Sequence, residues 1–154
     1  MSDSDNEIYR KHADDLNRFA AGLVGPSQAA DVVSEAVLKC LHFRRWPQVD
    51  DKRAYLYRSV LNEANSLHRS SQRRTAREKL WAQPERVEFP EVRPEVLAAV
   101  FRLSMRQRAV IFLIYWEDLD IPSVAGLLKV SEGSVRRHLA RGKTRLKEAL
   151  HADD

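Results

Sequence analysis

The sequence is poor in the residues that make tight hairpin turns and covalent staples, and has no apolar run of membrane-spanning length. Only five of its 154 residues are glycine and one is cysteine. A lone cysteine, Cys40, excludes an intramolecular disulfide and any Cys-x-x-Cys metal site, and is read as a small core residue. No Asn-Gly or Asp-Gly pair marks a hairpin. No apolar run approaches the roughly 18 residues of a membrane span, and the acidic start MSDSDNE lacks the basic and apolar regions of a secretion signal. A cytoplasmic protein without membrane insertion is expected. The histidines His12, His42, His68, His138 and His151 are scattered without HExxH or another ligand spacing, and no glycine-rich phosphate loop is present. No metal, cofactor or catalytic group is therefore expected, and the chain is not read as an enzyme.

What is present is helical periodicity and unevenly placed charge. Apolar residues recur at spacings of three and four almost throughout, and at 44% of the chain they suffice for a core. The expected fold is all-α, with six or seven helices in two small domains joined by a linker. The first helix should span about Glu7 to Val24 and end at Gly25-Pro26. Ser27 is expected to cap a second, from about Gln28 to Phe43. After a loop with Trp46-Pro47, a third should run from about Asp51 to Ser71 with Leu56, Tyr57, Val60, Ala64 and Leu67 inward. Pro84, Pro90 and Pro94 punctuate a stretch without sustained period, read as the linker. The expected domains are thus 1–79 and 95–154, with 80–94 between them. Fully extended, about 14 residues at roughly 3.3 Å each reach about 45 Å, more than one turn of duplex DNA at roughly 34 Å. Halves so tethered could touch separate DNA sites.

In the second half a helix is expected from about Glu95 to Arg102. Ser104 and Gln107 have the spacing of a capping box before a strongly apolar helix. Pro122 suits the first turn of the next, and Ser131 should cap the last. Between Ser131 and Lys147 that last helix carries Arg136, Arg137, Arg141, Lys143, Arg145 and Lys147 against one acid, Glu132. At 100° per residue, Val135, Leu139, Gly142 and Leu146 share one stripe, while Ser134, Arg137, Arg141 and Arg145 lie opposite. A short helix, a tight turn and a basic helix with a small, polar first turn is the arrangement of a helix-turn-helix. Gly133 and Ser134 allow close approach to base edges, and Arg137 can reach guanine acceptors. An amphipathic helical hairpin would share this periodicity.

Other faces are informative. The second helix turns Val32, Val33, Ala36, Val37 and Cys40 inward, leaving Asp31, Ser34, Glu35, Leu38 and His42 outside. An acidic surface with an outward leucine suits a protein partner; a solvated face is the plainer alternative. The third helix places Tyr55, Arg58, Ser59, Asn62, Asn65, Ser66 and Arg69 outward, a mixture of aromatic, amide and cationic groups suited to an unpaired nucleic-acid strand. Five bases against one acid between Arg69 and Lys79 strengthen that reading.

The run LSMRQRAVIFLIYWEDLDIPSVAGLLKVSEGSVRRHLARGKTRL resembles region 4 of bacterial ECF (extracytoplasmic function) sigma factors, through Leu103, Arg106, Gln107, Arg108, Val110, Ser131, Gly133, Ser134, Val135, Arg136, Leu139 and Arg141. AADVVSEAVLKCL resembles sigma region 2.2, and RAYLYRSVLNEANSLHRSSQRR resembles regions 2.3 and 2.4 through Arg53, Ala54, Leu56, Tyr57, Arg58 and Asn62. LuxR-like regulators share the helix-turn-helix but would lack this upstream module. The resemblance implies a sigma factor that binds core RNA polymerase, at the β′ clamp helices and the β subunit, and directs promoter recognition. It implies polymerase contacts for Asp31, Ser34, Glu35 and Leu38. It implies minus-thirty-five contacts for Glu132, Gly133, Ser134, Arg136, Arg137, Arg141 and Lys143. Minus-ten contacts are implied for Trp46, Tyr55, Arg58, Asn62, Asn65, Arg69, Arg73 and Arg74, with a flipped base held near the loop 44–51. Trp46 beside proline could equally plug the end of its domain. An anti-sigma factor, if one exists, should cover the polymerase and DNA faces. The alternative is a DNA-binding regulator that never touches polymerase. Lys129 stands where the family usually has glycine, so a left-handed backbone there would cost roughly 1 kcal/mol.

Overall fold

The computed structural model describes the backbone of residues 3–78 and 93–151, and the side chains of these residues outside 71–78. The described residues form seven α-helices and a short 3₁₀ turn, with no strand among them. Helix α1 spans Asp3–Val24, α2 Pro26–His42 and α3 Lys52–Glu78; α4 spans Pro94–Phe101, α5 Met105–Tyr115, α6 Ile121–Leu128 and α7 Glu132–His151. The 3₁₀ turn, Trp46–Gln48, occupies the loop between α2 and α3. The expected linker, 80–94, lies almost wholly outside the described residues.

Local chemistry sets most boundaries. The α1–α2 corner turns on Gly25 at φ 93°, a conformation costly for a residue with a Cβ. Gly25 is also the residue before α2, and Pro26 fills its first position. This corrects the expected cap at Ser27, since the helix begins before that hydroxyl could serve. Asp51 starts α3 by accepting the Ala54 N–H at 3.0 Å. The box at α5 is closed in both directions: Gln107 N–H donates to Ser104 Oγ at 3.2 Å, and Ser104 N–H to Gln107 Oε1 at 3.1 Å. Asp120 caps α6 by accepting from Ser123 N–H at 2.9 Å, and Ser131 caps α7 by accepting from Ser134 N–H at 3.0 Å. Lys129 ends α6 at φ 56°, ψ 48°, the left-handed conformation anticipated there.

In the first half, α1, α2 and α3 pack mutually. Leu16, Phe19, Leu23, Val33, Ala36, Cys40, Tyr57, Val60 and Ala64 are almost completely buried in their core. Cys40 Sγ donates to Ser59 Oγ at 3.1 Å, and burial pushes its thiol pKa up. Ser59 is thereby turned partly inward, away from the outer strip expected for it. In the second half, α7 crosses α5 at Gly142, where a Cβ would lie 3.1 Å from Ile111 Cγ1. Close approach of the two helices there needs the missing side chain.

The two halves pack against each other. Helix α1 packs on α5, and α3 packs on both α5 and α6, so one core runs through both halves. Gly22 makes room for this seam: a Cβ on it would stand 2.5 Å from Phe112 Cδ2. The Phe112 ring lies 6.0 Å from Phe19 across the seam. Arg108 crosses it too. Its guanidinium, buried without a carboxylate, donates to Leu23 O at 2.7 Å, Phe101 O at 2.6 Å and Leu103 O at 3.1 Å. The Leu23 and Phe101 carbonyls lie at the C-terminal ends of α1 and α4, the negative ends of both helix dipoles, and Leu103 lies in the loop that follows α4. Burial lowers the Arg108 pKa to about 10, which still leaves it charged at neutral pH. An exposed ion pair, Arg18 Nε to Glu117 Oε1 at 3.2 Å, adds little at the rim.

Candidate nucleic-acid interface

Helix α7 sorts its residues as the periodicity predicts. Val135 and Gly142 are buried, Leu139 and Leu146 are half-buried, and Arg136, Arg137, Arg141, Lys143, Arg145 and Lys147 are exposed. Glu132 and Gly133 are exposed and Ser134 half-buried in the first turn. A Cβ at Gly133 would meet only Ser131 Oγ, at 3.9 Å, so packing within the chain does not require glycine there. The cations are not equivalent. Arg136 pairs loosely with Glu132 at 3.9 Å, Lys143 stands 5.7 Å above the Tyr115 ring, and Arg145 Nη1 reaches Gln107 Oε1 at 3.4 Å. No hydrogen bond or ion pair engages Arg137 or Arg141 among the described residues. These two arginines are thus exposed and uncommitted.

The second surface follows α3 and the loop before it. Tyr55, Arg58 and Asn65 are half-buried, while Asn62 and Arg69 are exposed. The side chains of Arg73 and Arg74 lie outside the described ones. Tyr55 is crowded: Phe43 stacks on it at 5.5 Å and 16°, the Arg58 guanidinium sits 5.4 Å from its ring centre, and Trp46 meets it edge-on at 5.9 Å. Its face is already occupied. Phe43, 40% exposed, presents the outer aromatic surface of this cluster, flanked by exposed Arg44 and Arg45. Sequence reading missed Phe43 because it treated the residue as the last turn of a helix; its place beside two arginines was the available signal.

Trp46 requires a correction. It is only 4% exposed, and its indole N–H donates to Asp5 Oδ1 at 3.0 Å, tying the loop to the start of α1. In this arrangement it plugs the end of the first half and has no free face for a base. Lys52 caps the ring at 5.4 Å.

The third surface is the outward side of α2. Asp31, Ser34, Glu35 and Leu38 are all exposed, Leu38 by 51%, while Val32, Val33, Ala36 and Cys40 behind them are buried. Lys39 beside them is committed to Glu63 of α3, which raises its pKa. The patch therefore keeps its acidic character. The structure brings these four residues onto one surface, separate from α7.

The described residues contain no group of three or more His, Cys, Asp or Glu side chains that could hold a metal, and no helix long and apolar enough to cross a membrane. Residues 8–74 match the family described as Sigma-70 region 2, and residues 93–146 match Sigma-70, region 4. The chain is 31% identical to the RNA polymerase sigma-E factor of Streptomyces antibioticus, covering 96% of this chain and 85% of that one. It is 28% identical to the ECF RNA polymerase sigma factor SigM of Mycobacterium tuberculosis, over 94% of this chain and 76% of the relative. Among solved structures, the sigma factor RpoE of Bartonella quintana, crystallised with the anti-sigma factor NepR, superposes with a TM-score of 0.70 at 20% identity, covering 97% of this chain and 98% of that one. CnrH, in complex with the cytosolic domain of CnrY, superposes at 0.65 with 22% identity, over 97% and 89% of the two chains. With two sigma-70 regions in order and full-length relatives of the same kind, the chain belongs to the ECF group of RNA polymerase sigma factors.

Proposed function

We propose that this chain binds core RNA polymerase in the cytoplasm and directs it to promoters through two separate DNA surfaces, contributing no covalent chemistry of its own. The observation that carries the reading is the division of labour among three helix faces. An acidic and apolar patch lies on α2, an aromatic and cationic patch on α3 with its preceding loop, and an exposed cationic face on α7 behind a capped helix-turn-helix.

On this reading Asp31, Ser34, Glu35 and Leu38 dock on the β′ clamp helices. Glu132, Gly133, Ser134, Arg136, Arg137, Arg141 and Lys143 enter the major groove at the minus-thirty-five element, where an arginine can grip guanine through two hydrogen bonds. Tyr55, Arg58, Asn62, Asn65, Arg69, Arg73 and Arg74 follow the opened minus-ten strand, with phosphate contacts giving salt-sensitive affinity. Phe43 joins them as the exposed stacking surface, in the role first given to Trp46. The functional halves are residues 1–79 and 95–154, with 80–94 as the connection. An anti-sigma partner would act by covering the α2 and DNA faces together; a complex leaving both free would contradict that.

The test is reconstitution. The purified chain should co-purify with core polymerase and support transcription from a subset of a promoter library, and Glu35→Arg should weaken the first step without changing duplex binding. Retained duplex binding with no polymerase association would favour a regulator outside the sigma mechanism.

A further inference from the structure

Closure of the two halves leaves a cavity of about 230 Å³ at their seam, walled by residues from both. Helix α3 contributes Arg58 and Asn62; the second half contributes Arg106, Lys129 and His138, and no carboxylate lines the space. The Arg58 guanidinium is steadied beside the Tyr55 ring. Neither Arg58, Arg106 nor Lys129 forms an ion pair among the described residues. His138 Nδ1 is buried without a hydrogen-bond partner, and its pKa is lowered first by burial and then by Arg106, Arg137 and Arg141. Positive charge is therefore concentrated here without a counter-charge, in a concave place where an anion is attracted more strongly than on a flat surface.

Lys129, exposed and holding the left-handed backbone that ends α6, borders the cavity.

We propose that the seam cavity binds a diphosphate group, free or as the end of a nucleotide, between Arg58 of the first half and Arg106 and Lys129 of the second. Three cations, Arg58 half-buried and Arg106 and Lys129 exposed, match the charge of two adjacent phosphates, and Asn62 can donate a further hydrogen bond. The volume is below the roughly 300–1,000 Å³ of pockets that enclose drug-sized ligands, so a diphosphate fits inside and any nucleoside must project outward. Because its ligands come from both halves, the site exists only when they are closed. A bound diphosphate holds the seam shut and keeps the α3 surface beneath α6.

The experiment is titration calorimetry of the full chain with inorganic pyrophosphate at fixed ionic strength, repeated with Lys129→Gly and Gly22→Leu. Lys129→Gly removes one cation while relieving the backbone, so its melting temperature should not fall but its affinity should drop at least fivefold. Gly22→Leu touches no lining residue; it forces Phe112 off α1, opens the seam and should cost a similar factor. Absence of pyrophosphate binding by the parent chain, or parental affinity in either variant, overturns the proposal. A parallel titration with adenosine and guanosine diphosphates assigns the source: tighter binding than pyrophosphate identifies a nucleotide, and equal or weaker binding the free anion.

Discussion

Helices α3 and α7 carry similar chemistry in different circumstances. Both set arginines opposite an apolar stripe, but Arg137 and Arg141 of α7 are exposed and unpaired among the described residues, whereas α3 packs against α5 and α6. Arg137 and Arg141 are exposed, while Arg58 is half-buried at the seam. A basic helix is thus not by itself an available one. Availability of α3 depends on how the halves sit together, a property of the seam and not of the helix.

The comparison can be broken first at Arg108, which holds the seam through Leu23 O. Arg108→Leu strands three carbonyls; hydrogen bonds to a charged group at about 1.5–3 kcal/mol each set a ceiling of roughly 4.5–9 kcal/mol, and with the new apolar side chain and rehydration of the carbonyls offsetting part of it, a loss of roughly 3–5 kcal/mol is expected in urea unfolding. A loss under about 1 kcal/mol would show that the guanidinium anchors nothing.

Next is the free helix. Arg137→Glu should weaken binding to a duplex minus-thirty-five element by roughly 10- to 100-fold, corresponding to the 1–3 kcal/mol of a good arginine–base contact. Unchanged binding in a gel-shift titration would undo its assignment. Phe43→Ala tests the other surface: with forked DNA bearing an unpaired minus-ten strand, the loss should be about 1–2 kcal/mol, near the lower part of the range for one stacked base. Phe43→Trp should restore binding if stacking is the interaction. The smallest effect is expected from Gly22→Leu, which should enlarge the radius of gyration in solution scattering and strengthen forked-DNA binding several-fold. An unchanged radius would mean that Phe112 finds another place and the seam survives.

Much of the fold was legible because its determinants are local. Ser104 and Gln107 declare the start of α5, Ser131 that of α7, and the three- and four-residue spacing of Val32, Val33, Ala36 and Cys40 fixes which side of α2 faces outward. The left-handed turn at Lys129 was anticipated only through the resemblance to a family that usually has glycine there. Closure was not. Nothing near Gly22 in the sequence says that its missing Cβ receives a ring ninety positions away, and Arg108 reads as one more cation until its three carbonyl partners are seen. Ser27 lost the cap of α2 to the Gly25-Pro26 corner, because a proline already placed at the first helical position starts the helix sooner. Trp46 stayed between a base contact and a plug in the sequence because its partner, Asp5, lies at the far end of the first half. Side chains whose roles depend on distant partners were those that local pattern could not settle.

The most direct test measures the distance between α3 and α7. Dyes on Ser66→Cys and Thr144→Cys would report it by energy transfer; both positions are exposed, and Cys40, buried with its pKa raised, should label slowly. The account predicts a short separation in the free chain and one exceeding a turn of duplex, about 34 Å, once the chain sits with polymerase on a promoter. A transcribing complex that keeps the short separation would contradict the claim that these two helices read separate DNA elements.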